Sequence, residues 1–293
     1  MTLAAAGDRV CEALSGVRLA RSRLRLIVAH GHHHGPGGDM RFIRFSRGGL
    51  ASYGLLEGDR VVPVGDTPWE RVERTGEPVP LAQVTLLAPC RPSKIVAVGR
   101  NYRAHAAEMG NEMPSSPIIF LKPPTTVLGP GGEIVYPPIS EEVHHESELA
   151  VVMGRRCKSV RSEEVAAYVW GYTCGNDVTA RDLQRLDGQW TRSKGFDTFC
   201  PLGPWIDTEL DPCDVAVICR VNGQVRQSGR TSDMAFDVPA LVAFIAEVMT
   251  LEPGDVVLTG TPSGVGPLVP GDRVEVEVEG LGVLENSVVE QRP

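Results

Sequence analysis

The chain has 293 residues, 42% of them hydrophobic and 23% charged, with a formal net charge of −8. That length suits one large domain, or a modest domain with a small appendage, and the composition suits a buried core. The acidic balance argues against a nucleic-acid or anionic-membrane partner, although a local cluster of Arg and Lys can still take a small anion.

Aromatic residues are sparse at 5%, while 32 Gly and 23 Pro favour short strands and many turns over long helices. The seven cysteines, Cys11, Cys90, Cys157, Cys174, Cys200, Cys213 and Cys219, are scattered, odd in number and free of any Cys-x-x-Cys pair. The reading is a reducing, cytoplasmic setting with buried thiols and no zinc site. No apolar stretch approaches the roughly 20 residues that span a bilayer.

In chain order, residues 1–39 come first, with five arginines among Leu and Ala followed by Gly31-His-His-His-Gly-Pro-Gly-Gly38. This composition is expected to form a disordered extension. A targeting peptide would need an apolar run and a small-residue cleavage site, both of which are missing. Residues 40–90 read as a small β-rich unit, opening on Arg41-Phe-Ile-Arg-Phe-Ser46 and a turn at Gly48-Gly49. Residues 91–293 are expected to form the catalytic domain, beginning with a buried strand at Lys94–Val98.

Asn101 is expected to cap a short helix running to Met109, with Gly110 at its C-terminal end. Strands are expected at Ile118–Leu121 and Ser147–Met153, and Ser162 is expected to cap a helix containing Val165, Ala166 and Tyr168. Asn222-Gly223 between two apolar runs predicts a hairpin. Asp237 is expected to open the longest helix, with Leu241, Val242, Phe244, Ile245, Val248 and Met249 on its buried side. Val274, Val276 and Val278, alternating with glutamates, predict a half-exposed strand. The sum is an α+β, mostly β protein.

Chemistry concentrates in three clusters. In His144-His-Glu-Ser-Glu148 a strand would place Glu146 and Glu148 on one face, where like charges repel unless a cation joins them. Asp177, ending Gly171-Tyr-Thr-Cys-Gly-Asn-Asp177, can supply a third oxygen. Three carboxylates and no thiol suit a hard ion such as Mg²⁺ or Mn²⁺. A solvated edge strand is the plain alternative for Glu-x-Glu by itself. A facial triad of His144, Glu146 and His105 around iron is a further alternative that leaves Glu148 idle. In the second cluster His105 and Glu108 lie three apart on the short helix, so the carboxylate can orient the imidazole as a base. In the third, Arg181 and Gln184 can share one helical face, and Lys194 and Lys122 add positive charge. Thr259-Gly-Thr-Pro-Ser-Gly-Val-Gly266 is Gly-rich but lacks the ending of a phosphate loop.

Taken in order, Gly99-Arg-Asn-Tyr-x-x-His-x-x-Glu108, Phe120-Leu-Lys-Pro123, Glu146-x-Glu148, Asp177-Val-Thr-Ala-Arg-Asp-x-Gln184, Ser193-Lys-x-Phe196 and Thr259-Gly-Thr-Pro262 resemble the fumarylacetoacetate hydrolase family. The likeness spans about residue 91 to the C-terminus, with residues 40–90 similar to a small N-terminal unit of bacterial members. It implies a mixed β-roll, a homodimer, and one Mg²⁺ or Mn²⁺ per chain on Glu146, Glu148 and Asp177. It implies a small anionic 2-oxo acid as substrate, His105 and Glu108 as a water-activating dyad, and Lys194 as the stabiliser of developing negative charge. By the same carry-over Arg100, Tyr102, Lys122, Arg181, Gln184 and Thr261 resemble substrate contacts. The intact dyad points to hydrolytic C–C cleavage of acylpyruvates, with isomerisation or decarboxylation of unsaturated 2-oxo diacids or oxaloacetate as the alternative.

Overall fold

The computed structural model describes residues 40–292, so the extension expected over residues 1–39 lies outside the described residues. Within them, β-strands build three sheets joined by short helices. The largest runs from Val79–Pro80 through Arg60–Val64, Leu50–Glu57 and Arg41–Arg47 into Cys200–Asp207, Val169–Asn176, Ser147–Met153, Val256–Leu258, Ile95–Gly99 and Ile118–Lys122. Most neighbours are antiparallel, but Val256–Leu258 runs parallel to Ile95–Gly99, and Gly282–Glu290 runs parallel to Glu133–Tyr136. The mixed, mostly β architecture therefore agrees with the sequence.

Ser147–Met153 is the centre of this arrangement, buried at every residue. Leu149, Val151 and Met153 belong to one core cluster, together with Leu241, Val242 and Ile245 of the Val238–Val248 helix. Ala150 and Val152 belong to the cluster that also takes Phe42, Tyr53 and Leu55 from the N-terminal strands. Covering both faces explains why the segment reads as a continuous apolar run without alternation. Asp237 caps the helix, its side chain accepting from the Ala240 N–H.

Several local expectations need correction. Asn101 does not cap the Arg103–Glu108 helix; Tyr102 occupies the N-cap. The Asn101 side chain instead donates to the carbonyls of Phe236 and Thr259 and accepts from the Phe236 N–H, tying three segments together. The Ser162–Ala167 turn is a 3₁₀ helix with Arg161 at its N-cap, where the Arg161 N–H donates to Glu164 Oε2 at 3.1 Å and the Glu164 N–H donates to the Arg161 carbonyl at 2.9 Å. On the Val238–Val248 helix, Val248 faces solvent and Phe244 is only half-buried, since the buried stripe is Val238, Leu241, Val242, Ile245 and Ala246. Asn222-Gly223 does form the hairpin turn, with φ of +52° and +77°.

Candidate metal centre and catalytic site

Glu146 sits in the break between the Val143–His145 and Ser147–Met153 strands. Its N–H donates to Asn176 Oδ1 at 3.0 Å, and its carbonyl accepts the Asp177 N–H at 2.9 Å. These bonds continue the register in which Ser147 pairs with Asn176 and Glu148 with Gly175, so strand pairing delivers the third acid to the first two. Carboxylate oxygens of Glu146, Glu148 and Asp177 lie within 4.8 Å of one another, and all three residues are buried. His144 takes no part: its Nε2 pairs with Glu142 Oε1 at 2.9 Å, which removes the facial-triad alternative.

Three buried cations surround the acids. Lys194 Nζ donates to Glu146 Oε2 at 2.7 Å and to Asp177 Oδ2 at 2.6 Å. Its ammonium also lies 5.2 Å from the centre of the Phe120 ring, which meets Trp190 edge-on at 5.0 Å. Trp190 in turn packs so tightly on Gly99 that any side chain there would collide with it, at 2.5 Å. Lys122 donates to Asp177 Oδ1 and to the carbonyls of Val178 and Phe199, which uses all three of its hydrogens. Arg181 donates to Glu146 Oε1 and to Gln184 Oε1.

The acids differ in electrostatic setting. Burial would raise the Glu146 carboxyl, but Lys194 and Arg181 outweigh it and hold Glu146 below the usual carboxylate range. Burial, followed by the negative charges of Asp177 and Glu146, pushes Glu148 well above that range. Glu148 makes no ion pair among the described residues; its one hydrogen bond accepts the Gly260 N–H at 2.6 Å. Burial works against the Lys194 charge, yet Asp177 and Glu146 raise its pKa overall. A buried carboxyl without a counter-charge, beside two others and with only oxygen donors, is the arrangement a hard divalent cation satisfies. The residues therefore fit such an ion.

The Arg103–Glu108 helix carries the dyad. His105 is 8% exposed, and its Nδ1 lies 3.3 Å from Glu108 Oε2. Glu108 is held in turn by the Gly264 N–H, at 3.0 and 3.1 Å from its two oxygens. With Nδ1–H directed at Glu108, the neutral ring presents its lone pair at Nε2. His105 lies close enough to Glu146 to act on its charge. Tyr102 is buried beside Glu148 with its hydroxyl unpaired, and burial then Glu148 push that hydroxyl upward. Arg100 is half-buried in a left-handed conformation, φ +58°. Thr261 Oγ1 donates to the Ser147 carbonyl and accepts from Gln227, so its role within the chain is to tie the 259–264 loop to the central strand.

Sequence reasoning assigned no role to Asn176, Gln227 or the N–H groups of Gly260 and Gly264, and read Asn101 only as a helix cap. The glycines did carry a signal: both have φ +96°, and each lies where a Cβ would meet other atoms, 2.8 Å from Asn101 and 2.1 Å from the Arg226 carbonyl.

Comparison with known proteins places this geometry in context. Residues 94–289 match the family model described as fumarylacetoacetate (FAA) hydrolase C-terminal, and residues 40–89 match Rv2993c-like, N-terminal. Protein Rv2993c of Mycobacterium tuberculosis is 52% identical over 229 residues, 77% of this chain and 86% of its own length. The rat (Rattus norvegicus) protein named oxaloacetate tautomerase Fahd2a, mitochondrial, is 46% identical over 223 residues, 72% of this chain and 71% of its own. A solved structure described as 5-carboxymethyl-2-hydroxymuconate delta-isomerase from Mycobacterium smegmatis aligns with a TM-score of 0.82 at 50% identity, covering 86% of this chain and 100% of that one.

Proposed function

The chain belongs to the fumarylacetoacetate hydrolase family of enzymes, and on that premise we propose that it is a divalent-cation-dependent tautomerase or isomerase of a small 2-oxo dicarboxylate. The observation that carries the diacid is the charge count of the buried centre. Glu146, Glu148 and Asp177 are balanced by Lys122, Lys194 and Arg181. A bound dication leaves that centre two charges positive, and a substrate dianion such as oxaloacetate neutralises it. Mg²⁺ or Mn²⁺ suits the all-oxygen donor set.

Enolisation asks for one base and a sink for the electron pair. His105 Nε2 removes the proton from C3, the C–H pair becomes the C2–C3 double bond, and the former carbonyl pair moves onto the C2 oxygen. Glu108 keeps the imidazole oriented and supports the proton it gains. Lys194 supplies positive charge beside the developing oxyanion. A bound divalent ion would neutralise the carboxylate triad and polarise the 2-oxo group. Water then protonates the C2 oxygen to give the enol, and His105 Nε2 returns its proton to solvent. In the enol-to-keto direction the hydroxyl proton leaves to water and His105 Nε2 delivers a proton to C3.

The same dyad can activate water, which is why sequence reading put acylpyruvate hydrolysis first. The similarity to an oxaloacetate tautomerase and to a muconate isomerase supports the alternative better. Decay of the ultraviolet absorbance of oxaloacetate enol should accelerate with enzyme and Mg²⁺ or Mn²⁺, and chelator should abolish the effect. Cleavage of an acylpyruvate into two acids, with the tautomer equilibration of oxaloacetate left at its uncatalysed rate, would restore the hydrolase. A homodimer is also proposed. Sedimentation should give about twice the 31.6 kDa chain mass, and the single-chain mass would refute it.

A further inference from the structure

A second concavity, of about 1210 Å³, lies where the strands of residues 40–90 meet the Pro124–Gly132 segment, and no residue of the triad, the dyad or their cations lines it. Three groups with unspent hydrogen-bonding capacity converge there. Arg44 and Tyr53 are direct cross-strand partners, so their side chains leave the same face of the sheet. Arg91 enters from the segment that links the N-terminal strands to the rest of the chain, close enough for both guanidiniums to act on the Tyr53 hydroxyl.

Among the described residues neither guanidinium has an ion-pair or hydrogen-bond partner, and the Tyr53 hydroxyl has none although the residue is only 8% exposed. Burial pushes that hydroxyl up to about 12, which keeps it a donor at neutral pH. Asp66 is the single acid in the lining, and it is exposed. Leu87 and Val127 supply apolar wall.

We propose that this cleft binds a small organic oxyanion, a carboxylate or phosphate head on an apolar or aromatic body. Two guanidinium forks match the paired oxygens of such a head, and the phenol donates a further hydrogen bond. Tyr53 and Arg44 stand on sheet strands, so the clamp is rigid before the ligand arrives. A cleft with apolar wall and a few convergent polar groups is where small-molecule sites form. The site is separate from the proposed reaction, because none of its lining residues belongs to the triad, the dyad or their cations.

Calorimetric titration of the full chain with phenyl phosphate and with phenylacetate tests the assignment. Arg44→Ala and Arg91→Ala should each weaken binding at least tenfold, and Asp66→Asn should tighten it by removing the opposing charge. Tyr53→Phe should weaken binding several-fold while leaving Tm unchanged, which keeps the test valid if an arginine variant folds poorly. Oxaloacetate tautomerisation should be unaltered in all four. Stronger binding of phenyl phosphate assigns a phosphate head, and stronger binding of phenylacetate a carboxylate. No binding of either probe at millimolar concentration, or affinities indifferent to Arg44, Arg91 and Asp66, would overturn the proposal.

Discussion

His105 and Glu148 separate two jobs that the site combines, one kinetic and one electrostatic. His105 has one ring nitrogen committed to Glu108, so removing the ring removes the base without touching the carboxylates. His105→Ala should lower tautomerisation by roughly 10²–10⁴-fold, the usual effect of a lost general base, while metal affinity measured by titration stays near wild type. Glu108→Gln should be milder, because the amide still holds the ring and the Gly264 N–H. Equal losses from both, or a large loss of metal affinity in His105→Ala, would contradict this division. Glu148 behaves oppositely. Its carboxyl is buried with two like charges and no ion pair, and its pKa is pushed up. Glu148→Gln keeps the volume and an acceptor for Gly260, so the metal-free protein should gain thermal stability. Added Mg²⁺ or Mn²⁺, which should raise the wild-type Tm, should then raise it no further. A variant less stable than wild type in chelator would show that Glu148 is already compensated.

The triad was legible at the level of elements because strand alternation alone suggested a shared face for Glu146 and Glu148. Asp177 was found as the end of a strand-like run, and pairing of Ser147 with Asn176 brings it to the other two. The loop that completes the site was not legible. Thr259-Gly-Thr-Pro-Ser-Gly-Val-Gly266 read as Gly-rich without a mechanism, because its function lies in backbone N–H groups whose partners are more than a hundred residues away. Asn101 failed for a related reason: a cap by residue type, it has its side chain claimed by tertiary partners at Phe236 and Thr259. The loop carries its own prediction. Gly264→Ala adds a Cβ that meets the Arg226 carbonyl at a position with φ +96°, so the N–H must move away from Glu108. A hydrogen bond to a charged group contributes about 1.5–3 kcal/mol, so activity should fall roughly 10- to 100-fold. The loss should appear in kcat, with metal affinity retained. Wild-type kcat in this variant would mean that the Glu108–Gly264 contact does not orient the dyad.

At the scale of the whole molecule, Pro89-Cys-Arg-Pro92 marks where the two family models meet, yet the structure runs one sheet through both parts. Arg41 and Phe42 pair with Asp207 and Ile206 on the strand of Cys200–Asp207. Phe42 packs on Trp170 at 5.3 Å, and Trp69 reaches the same ring at 5.5 Å. One core cluster contains Phe42, Tyr53, Leu55, Val62 and Val64 together with Ala150, Val152, Leu202 and Leu258. Sequence alone shows the change of composition near Pro92 but not this shared burial, because pairing between residues 41 and 207 leaves no local trace. Ala150 and Val152 lie on the strand that carries Glu148, so the N-terminal strands help to hold the metal-ligand strand in place. Residues 40–292 should therefore unfold as one unit. Phe42→Ala should destabilise by about 3–5 kcal/mol through lost contacts and a cavity. At this chain size that corresponds to a drop in Tm of roughly 6–20 °C. Catalytic activity, Trp fluorescence and far-ultraviolet circular dichroism should fall along one urea curve, in wild type and variant alike. An early fluorescence transition that leaves activity intact would instead establish the N-terminal strands as a separately folding unit.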